Sequence, residues 1–268
     1  MIFDTHAHYD DERFNEDREE LLANLKNENV AAVVNVGATF KGCASSMVLA
    51  GRWDFIYAAV GIHPDDAPFM DEDTIAKLRM WLSEPKCVAV GEIGLDYSRE
   101  DADRECQKFW FKRQLTLAKE ENKPVIIHSR DAAEDTLAIL KDYHRELKEA
   151  GEERSGLFKN PGVIHCFSYG TEIAREYVKM GFFIGVGGVS TFKNGRKLKE
   201  VIADTPLENI ILETDCPYLA PVPVRGSRNY SGNIRYVVDA ISEIKGAKAE
   251  EIENITFENA KKMYRLNQ

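Results

Sequence analysis

The sequence predicts an α/β protein of the TIM (β/α)8-barrel type. Eight short runs rich in β-branched residues recur along the chain, and each of the seven intervals between them holds an amphipathic segment. Strand alternating with helix implies parallel pairing, and the 268 residues suit eight such units, which typically occupy ~250 residues. A doubly wound open sheet is the structural alternative, but its phosphate fingerprint, G-x-G-x-x-G after the first strand, is absent.

In order, the first strand is "MIFDTH", the second "AAVVNVG" and the third "FIYAAVGIH". The fourth is "CVAVGEIG", expected to end at Glu92. The segment that follows, "DRECQKFWFKRQLTLAKEEN", reads as a surface helix, with Phe109, Leu115 and Ala118 at near-helical spacing and charges elsewhere. The fifth strand is "PVIIHSR". The stretch 149–162 reads as a loop before the sixth, "GVIHCFS". The seventh, "FFIGVGG", ends in glycines suited to close backbone packing, because no helix-opening Lys-Ser/Thr follows to make a phosphate cradle. After the eighth, "NIILETD", prolines keep "APVPVRGSRNYSGN" irregular, and "NIRYVVDAISEIKG" and "TFENAKKMYRL" read as closing helices. No Pro-, Gly- or Ser-rich linker divides the chain, so a single domain over 1–268 is expected.

Apolar residues make up 44% and charged residues 30%, an ordinary balance for a chain that buries a core. Lysine and arginine total 35 against 45 acidic residues, a formal charge of −10. That argues against a broad basic grip on nucleic acid, so a phosphate ligand needs a local positive feature such as a bound metal. Five scattered cysteines without C-x-x-C speak against a disulfide framework or structural zinc knuckle and for a reducing compartment. No signal peptide is visible and no apolar stretch approaches a bilayer span, so a soluble, cytoplasmic protein without membrane contact is expected.

The strand ends carry the chemistry. His6 and His8 follow the first strand, His63 the third, Glu92 the fourth, His128 the fifth, His165 the sixth, and Glu213 and Asp215 the eighth. In a parallel barrel these ends share one rim. Five of six histidines fall there; His144, in "DYHRELKE", does not. Each residue alone reads as a strand-end side chain bonded to a loop, but the set reads as a metal centre. Positions i and i+2 share a strand face, so His6 and His8 can reach one ion together; Glu213 and Asp215 share a face for the same reason, and metal cations relieve their mutual repulsion. The economical reading is two divalent ions: one on His6, His8 and Asp215, the other on His128 and His165, with Glu92 between them as a bridge. Nitrogen and oxygen donors suit Mn, Zn, Co or Fe and, less readily, Mg. Asp4 shares parity with the histidines and is expected to orient them. Cys166 and Cys216, each beside a proposed ligand, are expected to face away, under the helices.

The ordered motifs "DTHAH", "GIHP", "GEIGLDY", "NKPVIIHSRDA", "HCFS", "GFFIGVGG" and "ILETDCPYLAPVPVRGSRN" closely resemble the TatD-type deoxyribonucleases, a branch of the amidohydrolase superfamily, along the whole chain. The resemblance implies a distorted barrel and metal-dependent cleavage of phosphodiesters, often from DNA ends. It implies His6 and His8 as first-strand ligands, Glu92 as the bridging carboxylate, and His128 and His165 as ligands of the second ion. Asp215 becomes a catalytic ligand that handles the nucleophile's proton, Glu213 an assisting acid, and His63 a phosphate contact. Where the family usually has Glu-Pro after "RGxRN", this chain has Tyr230 and Ser231; Tyr169 stands where glycine is commoner.

The expected reaction is in-line hydrolysis by a metal-acidified water, with transition-state charge met by the ions, His63, and Arg225 or Arg228. Arg130 has two readings, a phosphate contact or the start of the next helix; for Asp131 the helix start is preferred. Asp96 and Tyr97 either shape the rim or pack. The expected partner is nucleic acid, as DNA ends or single strands. Two rivals remain: the same centre acting on an ester or amide, such as an aminoacyl ester on tRNA or a lactone, and a non-catalytic metal-binding protein with closed coordination.

Overall fold

The computed structural model describes residues 1–151 and 156–266. Eight strands, β1 (Ile2–Ala7), β2 (Val30–Val36), β3 (Ile56–Val60), β4 (Cys87–Asp96), β5 (Val125–Arg130), β6 (Gly162–Ile164), β7 (Phe183–Val186) and β8 (Ile210–Leu212), form one sheet in sequence order. Every neighbouring pair is parallel. The seam between β1 and β8 closes just beyond the three residues of β8. There His8 N–H donates to the Cys216 carbonyl at 2.8 Å and Asp215 N–H to the His6 carbonyl at 2.9 Å. The fold is the nearly closed (β/α)8 barrel that the alternation predicts.

The intervals carry α1 (Arg18–Asn24), α2 (Phe40–Arg52), α3 (Glu72–Leu82), α4 (Arg104–Glu120), α5 (Ala133–Glu149) with the single turn α6 (Gly156–Lys159), α7 (Thr171–Lys179) and α8 (Arg196–Asp204). Two closing helices follow, α9 (Ile234–Lys245) and α10 (Ala249–Tyr264), the latter beginning seven residues before the segment that marks it in the sequence. The stretch 149–162 holds α6, and residues 152–155 within it lie outside the described residues. Among the described residues no helix is long and apolar enough to cross a membrane.

One apolar cluster takes a residue from every strand, from Phe3 in β1 to Ile211 in β8. Met263 and Tyr264 of α10 join it, with Tyr264 5.8 Å from the Phe3 ring and its hydroxyl donating to the Thr5 carbonyl at 2.7 Å. Phe3 and Phe183 start their strands, so α10 plugs the N-terminal end of the barrel and leaves the C-terminal end for the site.

Beyond the earlier start of α10 and the turn α6 within 149–162, two more elements depart from the sequence reading. In α4 the buried apolar residues are Phe111, Leu115, Leu117 and Ala118, while Phe109 is 60% exposed, its ring edge-on to Trp110. Six residues at 100° each place Phe109 about 240° from Leu115, off the buried stripe. Strand β4 does not end at Glu92. It continues to Asp96, with a register irregularity against β5 between Val90 and Ile93. The glycines around it allow this close passage: a side chain on Gly94, at φ +148°, would collide with the His128 carbonyl.

Candidate metal centre

The C-terminal mouth opens into a cavity of about 830 Å3 whose wall includes His8, His63, Glu92, His128, His165 and Asp215. His6 lies beneath it, 1% exposed, its ring stacked on His165 at 3.9 Å. The shared parity of His6 and His8 brings their Nε2 atoms to 3.0 Å. Asp215 Oδ1 sits 3.4 Å from His8 Nε2 and 3.8 Å from His6 Nε2. The left-handed backbone of Asp215, φ +55°, turns it to this position after β8 has ended.

Glu92 stands at the middle. Its Oε1 is 2.8 Å from both His128 Nδ1 and His165 Nε2, while its Oε2 is 3.5 Å from His6 Nε2 and 3.9 Å from His8 Nε2. Burial pushes the Glu92 carboxyl up, but His165, His128 and His6 outweigh it and hold the group well below the usual carboxylate range. Burial, with His165 beside it, lowers His6 to about 4. Burial also acts against a charged His8, yet the Asp215 and Glu92 carboxylates win and raise it to about 9.

Among the described residues, three triads each bring their donor atoms within 4.8 Å of one another: His6, Glu92 and His165; His6, His8 and Asp215; and His63, Glu92 and His128. Their chemistry fits divalent cations. The donors are nitrogen and oxygen. His8 donates its Nδ1–H to the Val36 carbonyl at 2.8 Å, so that in the neutral ring Nε2 is the nitrogen with a lone pair, facing His6. His6 Nδ1 is buried with no hydrogen-bond partner among the described residues. The cavity wall also carries six carboxylates, Asp10, Asp11, Asp65, Glu92, Asp96 and Asp215, against one guanidinium, Arg130.

The remaining expected residues divide. His63 opens a 3-10 turn, where its Nδ1 accepts the Asp65 N–H at 3.2 Å, so the neutral ring carries its proton on Nε2, 4.0 Å from Glu92 Oε1. Arg130 is exposed on the cavity wall. Asp131 precedes α5 with φ +52° and does not cap it. Arg225 and Arg228 are not on that wall. Arg225 lies over Phe192 at 4.2 Å, and Arg228 pairs with Asp17 at 2.5 Å, donates to the Arg13 carbonyl at 2.6 Å and covers Phe14. Glu213 sits behind His165 rather than in the main cavity. Its Oε1 accepts the Cys166 N–H at 2.5 Å and lies 3.8 Å from His165 Nδ1. Its Oε2 has no hydrogen-bond partner among the described residues, and burial raises the group to about 7. The glycines in and after β7 pack closely as expected: a side chain on Gly185, within the strand, would meet Glu213 Oε2 at 2.5 Å, and one on Gly188, just past it, would collide with the Leu219 carbonyl.

Asp4 hydrogen-bonds neither imidazole among the described residues, but its Oδ1 accepts the His6 backbone N–H at 3.3 Å, so it orients the strand that carries His6 rather than the ring. Fully buried, it accepts from the Thr214 N–H and hydroxyl and the Ser231 hydroxyl, and so ties β1 to the chain after β8. Cys216 is buried as expected, but Cys166 lines the cavity, because φ +45° reverses its direction from a strand residue's. His144 stacks on Phe158, away from the mouth. A residue the strand-end pattern passed over is Asp96, whose Oδ2 is 3.0 Å from His128 Nε2. The signal was present as a carboxylate four residues beyond Glu92, on the same strand face.

Fold and site together define a class, the metal-dependent hydrolases built on a (β/α)8 barrel. The family model described as TatD related DNase matches residues 3–265, and the chain belongs to the TatD family. It is 43% identical over 267 residues to the uncharacterized metal-dependent hydrolase YabD of Bacillus subtilis, covering 100% of both chains. It is 33% identical to the uncharacterized metal-dependent hydrolase YcfH of Escherichia coli K12, covering 100% of this chain and 97% of the relative. The crystal structure of YjjV, a TatD homologue from E. coli K12, superposes with a TM-score of 0.89 at 30% identity over 98% of each chain.

Proposed function

We propose that the protein hydrolyses phosphodiester bonds of DNA, at ends or in single strands, with two divalent cations. The observation that carries the two-cation reading is Glu92: one carboxylate oxygen faces His128 and His165, the other faces His6 and His8. On this reading His6, His8 and Asp215 would hold one cation and His128 and His165 the other, with Glu92 available to both. When bound, such ions (Mn, Zn, Co or Mg) acidify a water and offset phosphoryl charge.

The chain's own groups do the rest. Asp215, kept ionised by His8, His165 and His6 against the pull of burial, accepts the attacking water's proton. His63 presents Nε2–H to a phosphoryl oxygen, since Nδ1 is committed to the Asp65 N–H. Arg130 supplies the cation on the wall. Glu213 fixes the His165–Cys166 backbone from behind. The match to a family of TatD-related DNases supports DNA as the phosphodiester, and the net charge of −10 supports engagement of termini rather than wrapped duplex.

The test is metal analysis of the purified protein, followed by product mapping on end-labelled single-stranded and duplex oligonucleotides with Mg, Mn, Zn and Co. Release of nucleotides from the ends is expected, and its loss in Asp215→Asn and His128→Ala. Undiminished cleavage by either variant removes the assigned role. Faster metal-dependent hydrolysis of an aminoacyl ester or a lactone moves the substrate to the carboxylic-ester class.

A further inference from the structure

We infer that Asp96 is a positioning residue of the centre: its carboxylate holds the proton of His128 on Nε2 and thereby presents Nδ1 as the free ligand atom. The inference rests on the proposed role of His128 as a ligand.

His128 lies between two carboxylates. Its Nδ1 is 2.8 Å from Glu92 Oε1, and its Nε2 is 3.0 Å from Asp96 Oδ2. A neutral imidazole carries one proton, so one nitrogen donates and the other offers a lone pair. The two sides are not equivalent. Glu92 Oε1 is also 2.8 Å from His165 Nε2 and belongs to the shared cluster. Asp96 Oδ2 faces the outer nitrogen of His128. The lone pair belongs on the Glu92 side and the proton on the Asp96 side.

Asp96 is built to stay where it is. Its Oδ1 accepts the Ser98 N–H at 2.8 Å and the Ser98 hydroxyl at 2.6 Å. Its backbone is gripped twice by Gln107, 3% exposed on α4: the Asp96 N–H donates to Gln107 Oε1 at 3.0 Å, and Gln107 Nε2 donates to the Asp96 carbonyl at 3.0 Å. Among the described residues its salt-bridge partner is His128, with no lysine or arginine within ion-pair distance. A carboxylate held by neutral donors keeps its charge for the imidazole, raising the basicity of the opposite nitrogen and fixing the ring's rotation. The continuation of β4 past Glu92 makes this possible, since it delivers ligand and orienting carboxylate from one strand face.

The first test needs no variant. In zinc-loaded protein labelled with 15N at histidine, long-range proton–nitrogen correlations are expected to show His128 protonated on Nε2 and not on Nδ1; the reverse tautomer overturns the inference. The second measures Mn(II) affinity by the electron paramagnetic resonance signal of the free ion. Asp96→Ala should weaken one binding event about ten- to a hundredfold. Asp96→Asn, which keeps an oxygen acceptor for Nε2–H, should restore most of that affinity, a rescue that a purely structural role would not produce. Wild-type Mn(II) affinity in Asp96→Ala beside lost affinity in His128→Ala defeats the positioning role alone. Wild-type affinity in His128→Ala defeats the ligand reading, and the positioning role with it.

Discussion

Replacing Arg228 with alanine separates a structural arginine from a substrate-binding one. Its guanidinium forms a two-pronged pair with Asp17, Nη1 to Oδ1 at 2.8 Å and Nη2 to Oδ2 at 2.5 Å. The two side chains are 31% and 42% exposed, so solvent screening limits the pair to about 1 kcal/mol or less. The guanidinium over the Phe14 ring, 4.6 Å from its centroid, adds about 0.5 kcal/mol. The hydrogen bond to the Arg13 carbonyl contributes about 0.5 kcal/mol at this exposed position. The sum is about 2 kcal/mol, which for a chain of this size lowers Tm by about 4–8 °C. Part of the loss should vanish when wild type and variant are compared in high salt, because the pair is screened there. Thermal unfolding followed by circular dichroism gives the shift, and kcat and KM on a metal-loaded oligonucleotide assay give the function. The expected result is a lower Tm with kcat/KM within about twofold of wild type. A KM raised about tenfold with an unchanged Tm would refute the reasoning, since that is the signature of a lost phosphate contact.

Arg130, on the cavity wall, should behave in the opposite way. Arg130→Ala is expected to raise KM for a phosphodiester about tenfold, roughly 1.4 kcal/mol, while moving stability by less than about 0.5 kcal/mol. Chelation of the loaded protein should abolish hydrolysis and lower Tm by about 15–30 °C, because each of two ions present at a thousand times its Kd stabilises by about 4 kcal/mol. An identical melting curve with and without chelator contradicts the metal centre. In α4, Phe111→Ala should cost about 3–5 kcal/mol and Phe109→Ala less than about 0.5 kcal/mol, as denaturant titration will measure. Equal losses would mean that the helix turns its other face to the barrel.

Much of the site could be read before folding because the barrel converts order along the chain into position around a rim. His6, His8, His63, His128 and His165 are legible as a group since parallel strands all point the same way. The two-residue spacing of His6 and His8 needed no partner to interpret, as strand pleating alone sets it. The arginines resisted the same treatment. "VPVRGSRN" says nothing of where its side chains go, because an irregular loop has no period; Arg228 is drawn inward by Asp17, 211 residues away in the chain.

The sequence by itself determined the alternation of strand and helix, the parallel barrel that follows, and the delivery of nitrogen and oxygen donors to one mouth. Tertiary structure alone decided how far β4 runs, and so that Asp96 meets His128; which face of α4 is buried; that Cys166 turns into the cavity while Glu213 withdraws behind His165; and which arginine remains available. The physical reason is the range of the forces involved. Backbone periodicity acts over a few residues and is written locally. Register, left-handed turns and the choice of ionic partner depend on groups that become neighbours only once the barrel has closed.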